Sequence, residues 1–163
     1  MNKEKKIELL WRQTKFTWLA IDSNSDELIG SALDKPVNKS VKELCSHLIK
    51  LGGKMVVVEF HESPIFCKAL VKFGEITPSV NLEIFNGEER ECHTNSAMVW
   101  SQNREDYLLV TGFALSEDDV WRRHSWVKTN DGRLIETTIK REKYFGIILK
   151  EEGAEAFLQD YHR

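Results

Sequence analysis

Residues 120–139 read VWRRHSWVKTNDGRLIETTI. Two β-type runs, Val120–Lys128 and Arg133–Ile139, flank Asn130-Asp131-Gly132, residues that tolerate the left-handed backbone of a tight hairpin loop. Side chains alternate along a strand, so Val120, Arg122, His124 and Trp126 share one face, and Leu134, Glu136 and Thr138 share another. For His124 and Glu136 to meet, the numbers of directly paired residues must sum to an even value. A two-residue turn gives an odd sum and separates the side chains; a three-residue loop with Gly132 in the left-handed position gives an even one. That register pairs His124 with Thr138 and leaves Glu136 as its diagonal neighbour, about 7–8 Å away between Cα atoms, within reach of a Glu side chain.

A histidine held by a carboxylate is the general-base half of a nucleophilic site, and Cys92 is the matching nucleophile. The attacking species is a thiolate, which needs a helix N-terminus or a neighbouring imidazole to lower its pKa. Cys92 stands where the polar loop Asn86-Gly87-Glu88-Glu89-Arg90 meets a run, Ala97-Met98-Val99-Trp100, that is apolar almost all round and predicts a buried helix. The residues thus point to a Cys92-His124-Glu136 triad, with Glu136 conditional on the odd-length loop. Asn86, Asn95, Arg122 and Trp126 are candidates for oxyanion or substrate contact, and the backbone amide of Cys92 is a further oxyanion donor. His93 competes for the base role, but sequence neighbours on a helix point in different directions. Cysteine, histidine and carboxylate this far apart in sequence lack the tight local spacing of a zinc site, so no metal or cofactor is expected.

Working outward, Tyr107–Leu115 and Tyr144–Leu149 read as strands and 150–161 as an amphipathic helix through Ala154, Phe157, Leu158 and Tyr161. Upstream, Ser40-Val41-Lys42-Glu43 has the capping-box pattern, with Val41, Leu44, Cys45, Leu48 and Ile49 at helical spacing behind it and Gly52-Gly53 as the stop. Lys54–Phe60 predicts a buried strand, Pro64–Phe73 a short helix, and Asn81–Phe85 another strand. Residues 3–15 suit a helix, Trp11, Phe16 and Trp18 core packing, and 22–26 a loop. The class is α+β, read as one domain over 1–163: mostly helices with one strand over 1–80, then the cysteine helix and an antiparallel sheet over 81–163.

The net charge of −3 supplies no electrostatic case for nucleic acid or an anionic membrane. No apolar stretch approaches the length of a spanning helix, and the charged N-terminus does not read as a secretory signal. Three cysteines without CxxC spacing suit reduced thiols in a cytoplasmic setting.

His124-Ser125-Trp126 followed a hairpin later by Glu136-Thr137 resembles the His-x-Trp … Asp-x-Thr segment of transglutaminase-like proteins. The order of cysteine at a helix start, histidine on a strand and acid on the next strand is similar to that of the wider papain-like superfamily. Cys92-His93-x-Asn95, Gly112-Phe113-Ala114-Leu115-Ser116 and His124-Ser125-Trp126 together resemble a branch of small proteins there. The resemblance covers roughly residues 85–140. It departs in having Glu for Asp or Asn, and in lacking a papain-style Gln six residues before the cysteine, where Asn86 stands. It implies a papain-like/transglutaminase-like core, the buried cysteine helix on an antiparallel β-meander. It also implies acyl transfer on a peptide, protein or small acyl substrate, as a protease, amidase, deamidase or transglutaminase. The rival reading is a non-catalytic binding module on the same scaffold.

Overall fold

The computed structural model describes residues 19–21, 28–31, 38–58 and 62–161. The expectations for 3–15, for Trp11, Phe16 and Trp18, for 22–26 and for residues 59–60 lie outside these. The chain forms two compact units, Met1–Lys72 with Leu115–Arg122, and Phe73–Ala114 with Arg123–Arg163. The α+β class holds. No described helix is long and apolar enough to cross a membrane.

In the first unit, β1 (Leu19–Ile21) pairs antiparallel with β2 (Leu28–Ser31) and with β3 (Met55–Val56). β3 runs parallel to the start of β7 (Val120–Thr129), Met55 opposite Val120 and Val56 opposite Trp121. Helix α1 (Lys39–Leu51) buries Val41, Leu44, Cys45, Leu48 and Ile49. Its cap differs from the capping box: Asn38 accepts from the Ser40 N–H at 2.8 Å, and Ser40 lies buried inside the helix. Asn competes equally with Ser for this position, and the earlier residue takes it. Gly52 ends the helix, its N–H donating to Ile49 O at 3.1 Å. The buried strand is shorter than its composition suggests, Met55–Val56, although the Val57 N–H still donates to Trp121 O at 2.8 Å. Helix α2 (Pro64–Phe73) starts at its proline as expected.

In the second unit the strand order is β5-β8-β7-β6-β9-β4. The strands are β4 (Glu75–Ile76), β5 (Leu82–Ile84), β6 (Tyr107–Leu115), β7, β8 (Leu134–Glu136) and β9 (Lys143–Ile148). This is not a plain antiparallel meander: β9 returns to the far side of β6, and β5 lies parallel to β8. Alternation sends successive side chains into two cores. Leu109, Val127 and Ile135 pack with Val99 and Trp100 of α3 (Cys92–Gln102) and Ala154 of α4 (Glu151–Tyr161). Val110, Trp126, Leu134 and Tyr144 pack together with Ala114. Burial on both faces explains why these strands read as near-continuous apolar runs. Helix α3 is not buried all round: Ser96, Ala97, Val99 and Trp100 are inside, whereas Cys92, His93 and Met98 are partly exposed.

The hairpin closes on Asn130-Asp131-Gly132, with the Thr129 N–H donating to Arg133 O at 2.9 Å and Gly132 at φ +88°. Val127 faces Ile135 and Lys128 faces Leu134, the even-sum register. β8 ends at Glu136, short of the expected Ile139, because the Thr138 N–H turns back to the Glu136 carboxylate at 2.9 Å instead of continuing a ladder.

β6 and β9 approach closely at Gly146, where a Cβ would stand 2.7 Å from both Thr111 O and the Trp126 ring. Gly146→Ala is therefore expected to destabilise by about 1–3 kcal/mol through overpacking. A urea midpoint indistinguishable from wild type would show that β9 can shift to make room.

Candidate active site

The loop before Cys92 is tied down by its own helix. Asn95 Oδ1 accepts from the Glu88 N–H at 3.2 Å and Asn95 Nδ2 donates to Glu88 O at 2.7 Å. Gly87 leaves room for that amide, since a Cβ would lie 2.5 Å from it and force it to shift, and its N–H donates to Thr137 O at 3.1 Å. The chain then turns through Arg90, at φ 63°, and enters α3 at Cys92. Glu91, the N-cap residue, makes no side-chain capping bond; its carboxylate instead accepts from Thr94 Oγ1 at 3.2 Å. The first-turn N–H groups, Cys92's among them, have no acceptor within the helix, and the helix dipole favours negative charge beside them.

His124 is 2% exposed and Glu136 is fully buried. His124 Nε2 donates to both carboxylate oxygens, at 2.8 and 3.1 Å. The thiol of half-buried Cys92 is coupled electrostatically to the His124 ring, for which Nδ1 is the nitrogen not engaged by Glu136, and to the Ser125 backbone; both favour its ionised form. Ser125 is held from several sides. Ser96 Oγ donates to its carbonyl at 3.0 Å, its hydroxyl donates to Thr111 at 2.9 Å, and His93 Nδ1 bonds that hydroxyl at 2.7 Å. The donor to the thiolate is thus rigidly placed.

Burial opposes ionisation of Cys92, but the hydrogen bond and charge of His124 and the Ser125 N–H outweigh it and hold the thiol below its ordinary value. Burial likewise opposes a charged His124. Its hydrogen bonds to Cys92 and Glu136, reinforced by their negative charges, hold the imidazole up to about 9. Glu136, despite burial, is kept below the usual carboxylate range by His124, the Thr138 N–H and Tyr144. These shifts all favour a thiolate–imidazolium pair backed by a carboxylate.

Two residues outside the triad, Thr138 and Tyr144, also bind the Glu136 carboxylate. Thr138 donates to Oε1 through both N–H and hydroxyl, each at 2.9 Å, and the Tyr144 hydroxyl donates to Oε2 at 2.8 Å. The sequence signal for Thr138 was its place opposite His124 in the register; Tyr144, on a strand that crosses the sheet, carried none.

Comparison with protein families, curated proteins and solved structures finds no match to this chain.

The remaining candidates separate clearly. Asn95 is spent on Glu88 and acts as a loop clamp. Trp126 does not line a cleft, because it is fully buried, with Nε1 donating to Thr77 Oγ1 at 3.3 Å and its ring stacked 6.1 Å from that of His124. Arg122 is paired bidentately with Asp118, at 2.7 and 3.0 Å, within the first unit. Asn86 is exposed on the loop. His93 is pushed down to about 3 by burial and by the charges of Arg123 and His124, so it stays neutral and serves Ser125. Cys45 and Cys67 are fully buried, and burial raises the Cys45 thiol, the opposite of activation. Among the described residues no group of three or more His, Cys, Asp or Glu side chains is arranged to hold a metal ion.

Proposed function

We propose that this chain is a cysteine-dependent acyl-transfer enzyme with a papain-like or transglutaminase-like core, acting in the cytoplasm on an amide or related acyl bond of a peptide, protein or small molecule. The observation that carries this reading is the buried hydrogen bond from His124 to Glu136, with His124 coupled to Cys92 so that the thiol is lowered and the imidazole raised. Buried ion-pair networks also occur in purely structural settings, but here the thiol is partly exposed at an uncapped helix N-terminus.

In this reading the Cys92 thiolate attacks the carbonyl carbon and the C=O electrons move to oxygen. The first-turn N–H groups stabilise that oxyanion. The oxyanion collapses, the His124 imidazolium protonates the leaving nitrogen, and the C–N bond breaks to leave a thioester. His124, now neutral, takes a proton from water or an amine as it attacks, and the thiolate departs. Glu136 stays ionised throughout and keeps the imidazole in place. The acceptor is selected by the shape of the cleft rather than by the triad.

The test is the pH dependence of alkylation by iodoacetamide, with adducts located by mass spectrometry. Cys92 should react below the ordinary thiol range, with a second inflection near 9 from His124. His124→Ala should return it to ordinary thiol behaviour. A profile unchanged by that substitution, or labelling of Cys67 that spares Cys92, would replace the enzyme by a binding module with an idle thiol.

A further inference from the structure

The second core holds a phenol hydroxyl whose partners among the described residues are the Glu136 carboxylate and the Arg141 N–H. Tyr144 is fully buried; its hydroxyl donates to Glu136 Oε2 at 2.8 Å and accepts from the Arg141 N–H at 2.9 Å. Its ring packs 5.3 Å from Trp126 and 6.1 Å from His124, so the side chain cannot swing away. The Arg141 N–H occupies the oxygen as an acceptor and leaves the hydroxyl proton for Glu136. Burial and the adjacent carboxylate push the phenol well above its ordinary range, so it remains a neutral donor.

We infer that Tyr144 is a positioning residue that acts through Glu136, drawing charge off the carboxylate oxygen that faces His124 and so keeping the imidazolium acidic enough to give up its proton. This rests on the acyl-transfer reading, which needs His124 to release a proton to a leaving group. Oε2 has two donors, His124 and Tyr144, so it shares its charge between them. Without the phenol the whole of that oxygen's basicity is turned on His124, and the imidazolium is held more tightly. Thr138 does the same at Oε1, through a hydroxyl and a backbone N–H. The titratable and charged groups facing the pair are Cys92 and neutral His93 from α3, Tyr144 from β9, and the Arg141 cation of the preceding connection, whose field acts on Tyr144.

A merely structural Tyr144 and a tempering one differ in sign. If the phenol only props up the site, its loss loosens the His124–Glu136 contact and lowers the histidine's pKa. If it tempers Glu136, its loss raises that pKa. The experiment is a histidine NMR titration of the full chain, with His124 assigned by comparison with His124→Gln. Tyr144→Phe keeps the ring and removes only the hydroxyl. The expected result is an upward shift of roughly half to one pH unit, the size of one charge-assisted hydrogen bond. Thr138→Val, which keeps the backbone donor, should shift it the same way by less, and covers the case in which Tyr144→Phe fails to fold. No shift, or a downward one, in a folded variant overturns the tempering role while leaving the triad intact. A Cys92 alkylation profile left unchanged by His124→Ala would instead overturn the acyl-transfer reading and this inference together.

Discussion

Cys92→Ala is expected to abolish the burst of p-nitrophenolate that wild type releases from p-nitrophenyl acetate, one equivalent per active site, while leaving the fold intact. The burst reports thioester formation, in which sulfur bonds the acyl carbon as nitrophenolate leaves, so it needs a nucleophile and no knowledge of the natural substrate. Alanine offers no attacking atom. Turnover should fall by about 10⁴-fold or more, leaving what the helix N-terminus and binding supply alone. Stability should change little, because Cys92 is half-exposed and the thiol contributes little packing. The other thiols, Cys45 and Cys67, are sealed in the first unit's core. A burst that survived in Cys92→Ala would therefore end the assignment.

The second large effect is on stability. Glu136→Ala should destabilise by about 3–5 kcal/mol, the cost of breaking a buried charge pair by removing one partner. The substitution strands the His124 N–H, the Tyr144 hydroxyl and both Thr138 donors without their acceptor in a buried region. Glu136→Gln keeps the volume and should cost less, and its penalty should depend on pH. His124 is raised on folding, so its contribution is complete below the ordinary 6.5 and is lost as pH rises through about 9. Glu136 is depressed, so its contribution is present above the ordinary 4.5 and is lost as pH falls through its lower folded value. The stability difference between wild type and Glu136→Gln, from urea unfolding, should therefore be greatest between pH 4.5 and 6.5 and shrink beyond about 9. A difference flat across that range would mean the pair is not ionised.

Local rules made much of the second unit readable in advance. The loop Asn130-Asp131-Gly132 has one comfortable geometry, with Gly132 at positive φ, and that geometry sets the parity of the register. Parity in turn decides that His124 and Glu136 share a face, because strand side chains alternate with period two. The start of α3 at Cys92 was legible for a similar reason, since a polar loop gives way there to an apolar run. Where local signals were nearly equal, prediction slipped by a residue or two, as when Asn38 rather than Ser40 capped α1.

What periodicity cannot encode is which strand lies beside which. Tyr144 reaches Glu136 only because β9 crosses to the far side of β6 and its side chain shares a core with Trp126. That same packing buries Trp126, which the sequence left free to line a cleft, and the Gly87–Asn95 contact turns a candidate substrate ligand into a clamp. The sequence by itself thus determined the α+β class, the hairpin register and the cysteine at a helix start, all consequences of neighbouring residues and backbone sterics. The tertiary structure alone decided that the thiol is coupled to the imidazole and that four donors converge on one buried carboxylate. Such contacts join residues far apart in the chain, and only the packing of a whole core selects among them.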